Sequence, residues 1–165
     1  MPPLPKPACV LYDGRTYEMA DSMGHQLIAV MMLMRREVDR RMAQHGLTDA
    51  QWKPLWMLKC GRATNAIELA REMDIDAGAI TRMLDRLEAK GLIERERSEA
   101  DRRVVHLRLT AAGEAVAKKL PYVLAAVNND FLRGFSEAEW KQLRRLLSRM
   151  AENGAALQGD TEAAS

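Results

Sequence analysis

Along residues 19–45 the apolar positions Met23, Leu27, Val30, Met31, Met34, Val38 and Met42 recur at spacings of three and four, the repeat of one helix face, and Gly46 ends the pattern. Leu47-Thr48-Asp49-Ala50-Gln51-Trp52 opens the next element. Thr48 is a cap, Gln51 stands where a capping box needs it, and Leu47 can staple against Trp52. Pro54 sits where a backbone N–H should already be bonded, so this helix is expected to begin late or kink, at about 3 kcal/mol if unrelieved. A short helix from Asn65 to Met73 is expected to bury Ile67, Ala70 and Met73. Asp74-Ile75 then turns the chain, and Asp76 caps a helix over 77–90 that Gly91 closes.

Beyond Gly91 the helical repeat gives way to strands. Residues 92–97 and 103–109 read as a hairpin around a charged turn. Thr110 caps a long helix to about Arg133, bent at Pro121, with Val116, Leu120, Leu124, Val127 and Phe131 along one face. Phe135-Ser136-Glu137-Ala138-Glu139-Trp140 repeats the box and staple before a last helix, 136–153, whose face is Leu143, Leu146, Leu147 and Met150. The Pro-rich residues 1–17 read as a flexible arm and 155–165 as a frayed tail. The predicted fold is mainly α with a small β-hairpin wing. A winged helix-turn-helix lobe at about 47–110 is flanked by helices 19–45 and 110–154, all within one domain over 18–154.

At 165 residues and 47% hydrophobic, the chain can bury one ordinary core. A net charge of +2 neither requires nor excludes a polyanionic partner, so distribution decides. Residues 62–110 carry ten Lys/Arg and ten Asp/Glu, and only segregation of the acids from one surface would make that surface basic. Cys9 and Cys60 match no zinc or redox-pair spacing, and His25, His45 and His106 are dispersed, which argues against a metal site. No apolar run approaches the ~20 residues of a membrane span, and no signal peptide precedes the fold, so a cytoplasmic protein is expected. With no Gly-rich phosphate loop, nucleophile motif or convergent acid pair, neither enzymatic activity nor a cofactor is expected.

The helix at 77–90 buries Ile80, Leu84 and Leu87 on one face and leaves Ala77, Gly78, Thr81, Arg82 and Asp85 on the other. Small residues at its start allow close entry into a major groove, Thr81 and Arg82 can reach base edges or phosphates, and Arg86 suits a phosphate one turn on. An ordinary amphipathic helix with a solvated face shares this pattern, and the hairpin separates the two readings. Arg102 and Arg103 at its tip can place a guanidinium in a narrow minor groove, with Asp101 fixing an arginine's direction beforehand. The apolar faces of the terminal helices exceed what so small a lobe could cover, which points to a second chain; four-helix packing within one chain is the alternative.

The stretches "LTDAQWKPLWML" and "ELAREMDIDAGAITRMLDRLEAKGLIERERSEADRRVVHLRLTAAG" resemble the MarR family of bacterial regulators, over roughly residues 25–150. The Asp-Arg-Arg wing followed by Leu-Thr-Ala-Ala-Gly is the most specific part; Pro54 and the long arm depart from the pattern. The resemblance implies an obligate homodimer with interleaved first and last helices, reading a pseudo-palindrome in double-stranded DNA as a repressor. It places the recognition helix at 77–90 and the minor-groove arginine at Arg103. It further implies release by a small aromatic or phenolic acid bound between the dimer base and the winged lobe. Trp52 and Trp56, with His25, Met32 and Arg35 on the neighbouring helix, offer an apolar wall and cations for such a ligand. Two alternatives stand beside this reading, a redox-responsive regulator acting through Cys9 and a winged-helix protein-interaction module. Cys60 is expected to be a small buried hydrophobe.

Overall fold

Where the apolar repeat begins, the chain makes only a single 3-10 turn, Met19–Asp21, before α1, Met23–Ala43. The break falls at Ser22, whose hydroxyl accepts the His25 N–H at 3.3 Å, while the Met23 N–H donates to the Tyr12 hydroxyl at 3.0 Å. Tyr12 in turn donates to the Asp21 carbonyl, so part of the expected arm supplies the partners that the first helical turn lacks. The remaining elements are α2 (Asp49–Lys59), α3 (Ala66–Met73), α4 (Ala77–Ala89), β1 (Ile93–Arg97), β2 (Val105–Leu109), α5 (Ala111–Ala117), α6 (Leu120–Phe131) and α7 (Glu137–Glu162). The computed structural model describes residues 10–97 and 105–162, with main chain alone at 49–50 and 158–162.

Four expectations are corrected. The second helix does not begin late: α2 starts at Asp49 and carries Pro54 inside it. The ring is fully buried, so apolar burial offsets part of the missing hydrogen bond, and Gln51 Oε1 accepts the Thr48 N–H at 3.2 Å to hold the first turn. On α3, Ile67 is 83% exposed and Leu69 is fully buried. The inward stripe runs through Ala66, Leu69, Ala70 and Met73, and Ile67 falls off it. The helix expected over 110–133 is two helices, because Pro121 has no N–H to donate to the Ala117 carbonyl; the chain restarts with Pro121 in the first turn of α6, where that donor is not needed. The last helix runs on to Glu162, past the expected end at 153, since Gly154 and Gly159 each cost only about 1 kcal/mol in a helix otherwise rich in good formers.

Contacts divide the chain into residues 30–129 and a second unit of residues up to 29 with those from 130. In the 30–129 unit, β1 and β2 form an antiparallel hairpin with Ile93 opposite Leu109 and Arg97 opposite Val105. A third extended crossing completes it: Asn65 bridges to His106, and the Leu107 N–H donates to the Thr64 carbonyl at 2.8 Å. The core lies here, among Leu55, Leu69, Ile80, Leu84, Leu87, Ile93, Leu107, Leu120 and Val127. In the other unit no described side chain of α7 is buried; Leu143, Leu146 and Met150 are half-buried, Trp140 and Leu147 exposed. No helix among the described residues is long and apolar enough to cross a membrane.

Candidate nucleic-acid interface

The turn between α3 and α4 is built by short-range chemistry. Asn65 Oδ1 accepts the Glu68 N–H at 2.9 Å, and Glu68 Oε2 accepts the Thr64 N–H at 2.6 Å, a reciprocal cap at the start of α3. Those Thr64 bonds, backbone first and hydroxyl second, hold the Glu68 carboxyl below the usual carboxylate range. At the other end Asp74 takes the left-handed conformation, φ 52°, which a short polar side chain tolerates. Two residues later Asp76 Oδ1 accepts the Ala79 N–H at 2.8 Å and starts α4. The two helices are therefore joined by three residues, the length of a helix-turn-helix corner.

On α4 the buried face is Ile80, Met83, Leu84 and Leu87, one residue more than the apolar pattern predicts. Ala77, Gly78, Thr81, Arg82, Asp85 and Arg86 are exposed together on the opposite face. A Cβ on Gly78 would stand 3.1 Å from Asp76 Oδ1 and 3.5 Å from Arg82 Nη1, so the guanidinium of Arg82 lies back over the capped first turn. Thr81 donates its hydroxyl to the Ala77 carbonyl at 2.8 Å and keeps its acceptor lone pairs.

The acids expected to dilute this surface are taken up by an arginine that the sequence does not single out. Arg95 on β1 reaches back to α4, 2.6 Å from Asp85 Oδ1 and 2.7 Å from Glu88 Oε2. Arg62 pairs with Glu72 and Arg108 with Glu96. Among the described residues, Arg82 and Arg86 have no ion-pair partner, so the positive charge on the outer face of α4 is left for an external anion. Asp101, Arg102, Arg103 and Cys9 lie outside the described residues. Cys60 is exposed, not buried, because it caps the open C-terminal end of α2.

Beside α4 lies a cavity of about 430 Å³. One wall comes from α4 itself, with Ala79, Arg82, Met83 and Arg86; Met73 and Ile75 close one side. Thr48, Gln51 and Lys53 of the second helix and Arg35 of the first complete it. The lining thus joins four cationic side chains to an apolar floor and contains no carboxylate, a composition that suits an anion with an apolar body. Of the five residues expected to hold an effector, Arg35 alone lines this cavity. His25 and Met32 are exposed on α1, and Trp52 and Trp56 are half-buried on α2. Lys53 stands over the Trp52 ring at 5.8 Å, and the buried Trp52 Nε1 has no hydrogen-bond partner.

The MarR family profile matches residues 47–105, from two residues before α2 to the first residue of β2. Among solved structures, a mutant of MarR from E. coli complexed with operator DNA is 28% identical, with 78% of this chain and 92% of that chain covered and a TM-score of 0.69. YusO protein from Bacillus subtilis is 30% identical over 81% of this chain and 94% of that one, TM-score 0.64. The transcriptional regulator PA3341 is 32% identical over 80% of this chain and 97% of that one, TM-score 0.68. A capped helix-turn-helix, a hairpin pinned to its second helix and near-complete coverage of these relatives make this chain a member of the MarR family of transcriptional regulators.

Proposed function

We propose that the protein is a cytoplasmic homodimer that represses transcription by binding a pseudo-palindromic operator in double-stranded DNA, and that a small anion with an aromatic or other apolar body releases it. It acts by binding, not by catalysis. The observation that carries the DNA-binding reading is the outer face of α4, where Arg82 and Arg86 have no ion-pair partner among the described residues while Arg95 occupies Asp85 and Glu88. Ala77 and Gly78 let the helix approach a major groove closely, Thr81 and Arg82 read base edges, and Arg86 takes a phosphate. Arg102 and Arg103, with Asp101 to orient them, are assigned to the minor groove beside the hairpin, on the strength of the sequence.

Dimerisation is supported by the exposed apolar residues Met23, Ile28, Met31, Met32 and Leu33 on α1, and by α7, none of whose described side chains is fully buried within one chain. The cavity between α4 and the first two helices supports the effector reading. It has the volume of a small-molecule site and shares Arg82 and Arg86 with the DNA-facing surface.

The test begins with an operator selected from randomised duplexes, titrated at several salt concentrations with Arg82→Ala and Arg103→Ala. Arg82→Ala should cost about 1–3 kcal/mol and relax preference at one position of each half-site. Arg103→Ala should weaken binding and flatten any preference for A·T pairs at the flanks. Unchanged affinity and salt slope in both variants would sink the reading, as would a stable monomer that binds duplex tightly.

A further inference from the structure

We infer that Lys90 is a positioning residue, whose ammonium transmits occupancy of the cavity to the DNA-reading helix through Gln51. The inference rests on the effector reading above. Lys90 is the C-terminal cap of α4, and its own N–H stays bonded to the Arg86 carbonyl at 3.2 Å. Its side chain leaves that helix. The ammonium lies 2.6 Å from the Gly46 carbonyl, at the corner after α1, and 2.7 Å from Gln51 Oε1 in the first turn of α2. One charge therefore ties the last turn of α4 to the corner between α1 and α2, with donors to spare for two acceptors on different elements.

Gln51 connects this tie to the cavity. It is only 4% exposed, and its Oε1 accepts both the Lys90 ammonium and the Thr48 N–H. Thr48 and Gln51 also form part of the cavity wall, opposite Ala79, Met83 and Arg86 of α4. Among the described residues the Gln51 amide nitrogen has no hydrogen-bond partner, so an anion in the cavity finds free donors on the same amide that holds Lys90. Drawing that amide toward the anion lengthens its bond to Lys90. The C-terminal end of α4 then loses one of its two anchors on the α1–α2 corner, and that end of the helix is freer to shift against DNA.

The experiment uses the full chain, its selected operator, and benzoate and 1-naphthoate as probes. Probe affinity for the free protein is measured by calorimetry, and operator affinity by anisotropy with and without saturating probe. In the natural protein the probe should weaken operator binding by about 5–150-fold, the usual span of such couplings. Lys90→Met keeps the stem and removes the donors; it should bind probe as the natural protein does yet show a weakening under about twofold. Lys90→Arg should keep most of the response. Amide hydrogen exchange on the natural protein requires no variant, and probe should speed exchange at residues 86–90. Lys90→Met that responds like the natural protein overturns the inference and leaves direct competition at Arg82 and Arg86. Loss of probe binding in Lys90→Met, or unchanged exchange at 86–90, overturns it as well. A natural protein unaffected by both probes would instead remove the effector reading, and the inference with it.

Discussion

Replacing Gly113 by alanine puts a methyl where α5 rests on the start of the hairpin. The added Cβ would lie 1.9 Å from the Leu92 carbonyl oxygen and 2.9 Å from its carbon, with Leu109 Cδ2 at 3.4 Å. Even a favourable carbon–oxygen contact needs about 3.3 Å, so backbone must move by more than about 1 Å. That backbone is already committed. The Leu92 oxygen accepts the Thr110 N–H at 3.1 Å, and Thr110 Oγ1 both accepts the Gly113 N–H at 3.0 Å and donates to the Gly91 carbonyl at 2.6 Å. Overpacking costs about 1–3 kcal/mol, and weakening the backbone bond and the cap costs about 1 kcal/mol each, against a helix-propensity gain of about 1 kcal/mol. The net loss is about 2–4 kcal/mol, or about 5–15 °C in melting temperature for a chain of this length. Gly154 is the control, because it lies on an exposed stretch of α7 with nothing within 4 Å of an added Cβ. Gly154→Ala should stabilise by up to about 1 kcal/mol. Both variants are melted by calorimetry at one protein concentration, since the midpoint of a chain that self-associates depends on concentration. A Gly113→Ala midpoint within about 2 °C of the natural protein's, or shifts of the same sign in the two variants, would refute this account of the α5–hairpin seat.

Asp76→Ala should cost about 1 kcal/mol in urea unfolding by removing the cap of α4, and should weaken operator binding more than that loss of stability explains. Arg95→Ala should change stability by under about 1 kcal/mol, because its ion pairs are largely solvated, yet lower operator affinity at least about tenfold by uncovering Asp85 and Glu88 beside the duplex; anisotropy titration checks it. Arg40 first, and Arg41 second, hold the Glu37 carboxyl down to about 2, from its ordinary 4.5. Its contribution is therefore complete above the ordinary carboxylate value and is lost as pH falls from about 4.5 through about 2; carboxyl-carbon NMR should give that midpoint, and Glu37→Gln should flatten the acid limb of the melting curve.

Much of the helical layout was legible because its causes act within four residues. Asp76, Thr110 and the Ser136–Glu139 pair each hold their helix starts through bonds three positions on, and Gly46 and Gly91 adopt the left-handed φ that their places after helices demand. The inner face of α4 follows the same logic, since Ile80, Leu84 and Leu87 share a stripe whatever they pack against. The phase of a short stripe is less determined. On α3 the choice of Leu69 over Ile67 depended on where α4 and β2 lie, and no local bond records that. The contacts that shape the candidate site are longer in range still. Arg95 reaches Asp85 ten residues back, Lys90 reaches Gln51 and Gly46 at separations of 39 and 44, and the cavity draws its walls from four helices and a turn. Local propensity and capping are set by neighbours in the chain, so the sequence by itself determined most helix starts and the exposed outer face of α4. Which charges remain unpaired on that surface, and which side chains enclose a cavity beside it, depended on packing that closes long loops, and only the tertiary structure decided it.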